Sequence, residues 1–286
     1  MNDELHYPLL RSFLTSQEKV NREYTKIEML TLTDVLRETV ISRMIDSLEF
    51  HQGGTGLDAG CGIGSHLSVL AHAAGKGGDV IGIDHDIDAL LCARNRSPHT
   101  NPSYIRGDLK RLPFPDRTFE WALSVDCIGM ILKDTHSMIT ELIRVVKPGG
   151  MLALAAWTFQ LLLSGYPLLE AHLNATPRGI APFQDGIAPS LHFLRLRGQL
   201  EKLGLDDICV RSFLGEINPP RNEIEKKALA SLFFMRWGND PDDLPDKERL
   251  LYQSLIDPES NQCIFCRSDY YAWFIYTLFT ARVPGE

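Results

Sequence analysis

The sequence predicts an α/β fold in which a parallel sheet carries helices on both faces. Two observations support this prediction. Between residues 55 and 157, short apolar runs alternate with segments of helical periodicity, which is the pattern of strand–helix–strand units. The composition, 44% hydrophobic and 23% charged, is that of an ordinary globular protein, and 286 residues are enough for a sizeable core.

The elements follow one another in a regular order. Residues 8–50 carry apolar side chains at helical spacing and predict helical structure. Five apolar runs then predict strands: "TGLDAG", "DVIGID", "PSYIRGD", "FEWALSVD" and "MLALAAW". The segments between them predict three helices: "SHLSVLAHAAGKGG", "DIDALLCARNRS" and "DTHSMITELIRVVKPGG". We expect Asp86 to cap the second helix and Pro-Gly-Gly to end the third.

After Trp157 the alternation becomes less regular. Residues 158–190 and 218–268 are two long irregular stretches. Between and after them, "LHFLRLRGQLEKLGL" predicts a helix, and "ICVRSFLGEI" and "YYAWFIYTLFTARV" predict strands. We therefore expect a single domain, 1–286, with an N-terminal helical lid at 1–50 and a ligand-binding core at 51–157. The two irregular stretches are expected to be insertions that cap the substrate.

Charge and composition exclude several classes of protein. The net charge is −8, from 29 basic and 37 acidic residues, which argues against a nucleic-acid partner. We find no signal peptide, and Gly and Pro interrupt the uncharged stretch 148–169, so we expect a cytoplasmic protein without a membrane span. The six cysteines are expected to be reduced thiols. The spacing of Cys263 and Cys266 has no partner pair, so we predict no metal site.

The turn in "LDAGCGIGSHL" decides which ligand is expected. A dinucleotide fingerprint needs glycine at the first, third and sixth positions, but counting from Gly60 the sixth residue is Ser65. No Gly-Lys-Ser/Thr follows, so a P-loop is excluded. Asp58 would repel a pyrophosphate, whereas it can attract an ammonium group directly or through water. A cationic amino-acid nucleoside such as S-adenosylmethionine therefore fits the turn better than a phosphate.

At this point the sequence resembles the class I S-adenosylmethionine-dependent methyltransferases. "GLDAGCGIG" is similar to their first motif, "VIGIDHD" to the second, and "IRGDLKRLPFPDRTFEWALSVD" to the next two, in unbroken order over about residues 52–157. "LPFPDRTFE" is typical of the branch that methylates small molecules, including quinone precursors. The resemblance implies a Rossmann-like sheet, mostly parallel with an antiparallel last strand, with a helical N-terminal segment and helical cap insertions.

Several residues acquire expected roles toward S-adenosylmethionine. Asp84 ends the second strand, where one carboxylate can accept from both ribose hydroxyls. The resemblance implies that Asp108 and the amide of Leu109 bind the adenine. His85 either flanks the adenine or is an ordinary exposed histidine. The expected cofactor-binding residues are Asp58, Gly60, Gly62, Asp84, His85, Asp108, Leu109 and Asp126. Gly64 is expected to serve helix–strand packing.

The acceptor side of the site is less well defined by the sequence. Asp126 ends the fourth strand, where it could contact the methionine tail, act as the catalytic base or be an ordinary strand-end acid. His192 is a second candidate base. The candidate substrate residues are Tyr24, Met130 and Trp157, and core packing is the simpler role for the last two.

We therefore expect an S-adenosylmethionine-dependent methyltransferase that acts by in-line displacement on a small, apolar or aromatic acceptor. S-adenosylhomocysteine would be the product. Two alternatives stay open, a protein or peptide methyltransferase and a catalytically silent relative that only binds the cofactor. The sequence indicates neither the acceptor atom nor the oligomeric state.

Overall fold

The computed structural model describes residues 25–96, 103–128, 134–176, 179 and 188–285. Within these ranges, seven strands form one sheet in the order β3-β2-β1-β4-β5-β7-β6. The strands are β1 (Thr55–Ala59), β2 (Asp79–Asp84), β3 (Ser103–Arg106), β4 (Phe119–Val125), β5 (Val146–Leu161), β6 (Asp206–Ile217) and β7 (Ala272–Arg282).

The α-helices in the described part of the chain are α1 (Lys26–Asp46), α2 (Leu67–Ala74), α3 (Ile87–Arg96), α4 (Thr135–Val145), α5 (Pro167–Asn174), α6 (Leu196–Lys202), α7 (Glu223–Trp237) and α8 (Asp246–Ile256). Three short 3₁₀ turns lie at Pro189–Leu191, Phe193–Arg195 and Ile264–Cys266.

The sheet topology confirms the predicted fold class. The neighbouring pairs among β1 to β5 are parallel, and the last strand, β7, runs antiparallel. β1 lies between β2 and β4, so the order of the strands reverses beside β1. In open α/β sheets, ligands bind at the carboxyl ends of the strands at this switch point. Asp58, the glycine turn, Asp84 and Asp126 lie at those ends.

Local signals place the first residues of two helices. At the start of α1, the Thr25 hydroxyl accepts from the Glu28 amide at 3.2 Å, and the Glu28 carboxylate accepts from the Thr25 amide at 2.9 Å. This reciprocal capping box satisfies two amides that the helix leaves without partners. At α3, the Asp86 carboxylate accepts from the Asp88 and Ala89 amides at 3.0 and 3.3 Å, which confirms the predicted N-cap.

The predicted end of α4 is wrong. The helix ends at Val145, and Pro148 to Gly150 belong to β5. Gly149 has φ +75° and donates to the Val283 carbonyl at 2.8 Å, while the Val283 amide donates to Gly150. The glycines therefore continue the pairing with the chain after β7 rather than cap a helix. β5 also continues beyond the predicted run, to Leu161.

The chain divides into two compact units, each assembled from three segments. The first comprises Met1–Glu38, Gln160–Gln184 and Gly215–Phe274, and the second comprises Thr39–Phe159, Asp185–Leu214 and Ile275–Glu286. The first unit has its own aromatic core, in which the Phe233 and Trp237 rings stack at 5.9 Å. The second contains the described residues of the expected cofactor site. The lid and cap roles assigned from the sequence stay predictions.

Two further expectations concern the cysteines and the membrane. The structure joins Cys263 and Cys266 in a disulfide, which corrects the expectation that all six cysteines are reduced; the other four form no disulfide. Cys263 directly precedes the 3₁₀ turn at Ile264–Cys266 and Cys266 is its last residue, so the turn brings the two sulfurs together. In the part of the chain that the structure describes, no helix is long and apolar enough to cross a membrane.

Candidate functional site

The glycine turn after β1 uses three left-handed residues for different reasons. Gly60, Gly62 and Gly64 have φ of +82°, +51° and +72°, a region that side chains with a Cβ rarely adopt. A methyl group on Gly60 would lie 2.5 Å from the Cys127 sulfur. A methyl group on Gly64 would lie 2.9 Å from Ala93 on α3, which confirms its predicted packing role. The space beside Gly62 is open, so a ligand can approach its backbone there.

Asp58 is a buried carboxylic acid at the start of this turn. It is 1% exposed, and its Oδ2 atom has no hydrogen-bond partner. Burial, and to a lesser extent the negative charge of Asp84, raises the pKa of Asp58 from 3.8 to about 7. An unpartnered buried carboxyl group is costly to keep in a folded protein. The group therefore fits a ligand that supplies a positive charge or a donor, such as the ammonium group of an amino acid.

Asp84 ends β2 on the other side of the turn. Its Oδ2 accepts from the Gly62 amide and its Oδ1 from the Asp86 amide, both at 2.9 Å. These two bonds fix the plane of the carboxylate, and each oxygen keeps a second lone pair for a ligand hydroxyl. His85 Nδ1 lies 3.3 Å from Asp84 Oδ1, and its side chain is 77% exposed.

Asp108 follows β3 in an exposed turn. Its carboxylate accepts from the Lys110 amide at 2.9 Å, so it caps the turn, and the next residue, Leu109, is buried. The loop that follows is attached to α4, because the Arg144 guanidinium donates to the Leu112 and Phe114 carbonyls at 3.0 and 2.9 Å. The sequence "LPFPDR" is thereby fixed to a helix that comes later in the chain.

Asp126, at the end of β4, has both carboxylate oxygens engaged. Oδ1 accepts from the Trp157 amide at 2.9 Å, and Oδ2 accepts from the Tyr276 hydroxyl at 2.5 Å. Its backbone is left-handed, with φ +52°. The sequence did not indicate Tyr276, because it is one of several aromatic residues in "DYYAWFIY". The side chain of Trp157 is buried, and its ring packs edge-on against the Tyr276 ring with the ring centroids 5.8 Å apart.

The structure therefore brings most of the predicted residues to one edge of the sheet. His192 has a different role from the one considered, since its Nδ1 accepts from the Leu194 amide at 3.2 Å and caps a 3₁₀ turn. Tyr24 and Met130, which were expected to contact the substrate, lie outside the described residues. No cluster of metal-binding side chains occurs in the described ranges.

Comparison with known proteins identifies the core of the chain. Residues 57–154 match the family model described as a methyltransferase domain. These residues are therefore similar to a methyltransferase domain. The matched stretch begins with Leu57 in β1 and ends with Leu154 in β5. It contains the glycine turn and the ends of β2, β3 and β4, where the predicted cofactor residues lie.

Two curated relatives extend the comparison. An uncharacterised 37.1 kDa protein in a transposon of Streptomyces fradiae is 32% identical over 155 residues, 54% of this chain and 44% of that protein. A demethylmenaquinone methyltransferase of Bacillus licheniformis is 37% identical over 103 residues, 35% of this chain and 43% of the relative. The matches thus span less than half the length of these relatives.

A solved structure supports the fold. Phosphoethanolamine N-methyltransferase 2 of Haemonchus contortus, in complex with S-adenosyl-L-methionine, superposes with a TM-score of 0.52 at 17% identity. The superposition covers 92% of this chain and 58% of that one. At this identity the likeness concerns the fold alone.

Proposed function

We propose that the protein transfers a methyl group from S-adenosylmethionine to a small aromatic acceptor of the quinol type. The observation that carries this proposal is the buried Asp58 carboxyl group, whose Oδ2 has no partner, at the start of a turn that is open at Gly62. The match to a methyltransferase domain supports S-adenosylmethionine as the cofactor. When bound, it supplies an activated methyl group on a positively charged sulfur.

The residues around the turn have complementary roles in holding this cofactor. Ionised Asp58 attracts the ammonium group, and the open backbone at Gly62 allows close approach. Asp84, held by two amides, accepts from the ribose hydroxyls. Asp108, Leu109 and His85 would contact the adenine. This division places a carboxylate opposite every donor group of an amino-acid nucleoside.

The named relative and the chemistry of the site support the proposed acceptor class. The Bacillus licheniformis protein is named for a demethylmenaquinone substrate. A quinol hydroxyl must lose its proton to become a strong nucleophile, and Asp126 is the carboxylate that we assign to receive it. The proton would move from the hydroxyl to Asp126 as the ring carbon gains the methyl group and S-adenosylhomocysteine leaves. The ring hydrogen would then be lost as a proton to solvent, and Asp126 would return its proton to the oxygen to restore the quinol. Alignment of the reactants and exclusion of water supply the rest of the rate increase.

Binding calorimetry tests the cofactor assignment. We expect the protein to bind S-adenosylmethionine and S-adenosylhomocysteine, and not NAD. Asp58→Asn should weaken binding of both compounds at pH 8 by about tenfold or more, because it removes a charge-assisted contact in a buried site. Asp88→Asn is the matched control, since Asp88 is an exposed acid in the first turn of α3. Binding of NAD alone would contradict the proposal.

The acceptor is tested with a labelled methyl donor. We expect label to enter a reduced naphthoquinone that lacks the ring methyl group. Asp126→Asn should lower kcat by at least about a hundredfold, because it removes the proposed base. Label in an amine or a protein instead would replace the quinol assignment and leave the cofactor assignment intact.

A further inference from the structure

The last strand contributes a side chain that the sequence motifs do not include. Tyr276 is fully buried on β7, and its hydroxyl donates to Asp126 Oδ2. The Trp157 amide on β5 donates to the other oxygen, Oδ1. Each oxygen of the Asp126 carboxylate therefore has a donor, one from the neighbouring strand β5 and one from β7 on its far side. The two bonds fix the orientation of the carboxylate before any ligand arrives.

The backbone at Asp126 also points to a site under constraint. A left-handed φ of +52° is uncommon for a residue other than glycine, although aspartate adopts it more readily than most. Such residues persist where surrounding contacts hold them, and they cluster at functional sites. Here the Asp126 amide donates to the Ala155 carbonyl at 2.9 Å, in addition to the two bonds to the carboxylate.

The position of Asp126 relates it to the glycine turn. Asp58 on β1 is in register with Leu123 on β4, so the two strands reach the same edge of the sheet side by side. The residue after Asp126, Cys127, packs against Gly60 closely enough to exclude a methyl group there. Asp126 therefore lies beside the turn over which the cofactor is proposed to bind.

We infer that Tyr276 is a positioning residue, which fixes the Asp126 carboxylate so that the site distinguishes the methyl donor from its product. This inference rests on the proposed function. S-adenosylmethionine carries a positive sulfonium, whereas the sulfur of S-adenosylhomocysteine is neutral. A fixed negative charge near the sulfur attracts the sulfonium and has no matching charge to attract on the neutral sulfur of the product. Asp58 acts on the ammonium group that both compounds share, so it does not distinguish them.

The test is the ratio of the affinities for S-adenosylmethionine and S-adenosylhomocysteine, measured by calorimetry at pH 8. Tyr276→Phe keeps the ring and removes only the hydroxyl, and we expect it to lower this ratio about threefold. Asp126→Asn should lower the ratio about tenfold. Asp58→Asn should weaken both affinities and leave the ratio unchanged.

Thr277→Val is the matched structural control. The Thr277 hydroxyl contacts the Thr158 hydroxyl at 2.7 Å, so this variant also removes a polar contact between β5 and β7, one residue away from Tyr276. We expect it to leave the ratio unchanged. A ratio that falls as far in Thr277→Val as in Tyr276→Phe would show a general structural effect and overturn the inference.

The remaining outcomes separate the two proposals. If the wild-type protein binds neither compound, the proposed function fails and the inference fails with it. If the wild type binds both and Tyr276→Phe keeps the wild-type ratio, the proposed function stands and the inference is overturned. If Tyr276→Phe does not fold, Asp126→Asn decides, because it removes the charge on which the inference depends. An unchanged ratio of affinities in Asp126→Asn would overturn the inference.

Discussion

The glycines of the turn after β1 are required for different reasons, so replacing each of them should lower the stability by a different amount. Gly60→Ala meets both a left-handed backbone and the Cys127 sulfur, and we expect it to lower the free energy of unfolding by about 3 kcal/mol. Gly62→Ala has only the left-handed backbone to overcome, and we expect it to lower the free energy of unfolding by about 1 kcal/mol. Urea denaturation of the ligand-free proteins measures both values.

The double variant Gly60→Ala/Cys127→Ala separates the overlap with the Cys127 sulfur from the strain in the backbone. Removing the sulfur relieves part of the overlap, but the Cβ of residue 127, at 2.6 Å, and the backbone strain remain, so Gly60→Ala should cost about 1 kcal/mol less in the Cys127→Ala background. An equal cost in both backgrounds would show that the Cys127 sulfur does not determine the need for glycine at position 60.

The sequence identified residues whose role depends on a local motif, and missed residues whose role depends on the fold. Asp58, Gly64 and Asp84 were found because their place relative to a strand end predicts their surroundings. Tyr276 reaches Asp126 across 150 positions of the chain, and no local pattern indicates which aromatic residue of β7 does so. His192 was considered as a base for its chemistry alone, and the structure gives it a capping role.

The same distinction holds for helices and strands. Seven strands and the start of α3 were predictable, because periodicity and an N-cap are properties of neighbouring residues. The end of α4 was not, since Pro-Gly-Gly has the composition of a helix stop but pairs with Val283, more than a hundred residues away. The attachment of the loop after β3 to α4 through Arg144 likewise depends on contacts about thirty positions apart.

For the whole molecule, one buried group should couple folding to pH. The pKa of Asp58 is raised from 3.8 to about 7, so between these values the folded protein holds a proton that the unfolded chain has lost. Its contribution to stability is therefore present below pH 3.8 and is lost as the pH rises to 7, by about 4 kcal/mol in total. Asp58→Asn should remove this part of the pH dependence, which urea titrations at pH 4 to 8 measure by comparison with the wild type.

Ligand binding should have the opposite dependence on pH. The proposed ammonium contact needs the ionised carboxylate, and at pH 5 only about 1% of Asp58 with a pKa near 7 is ionised. Saturating S-adenosylmethionine stabilises the folded state in proportion to the logarithm of its affinity. We therefore expect the increase in Tm that it causes to grow from pH 5 to pH 8 and to level off above pH 7. Asp58→Asn should show a smaller increase that stays constant across this range, and a wild-type increase independent of pH would contradict the ammonium contact.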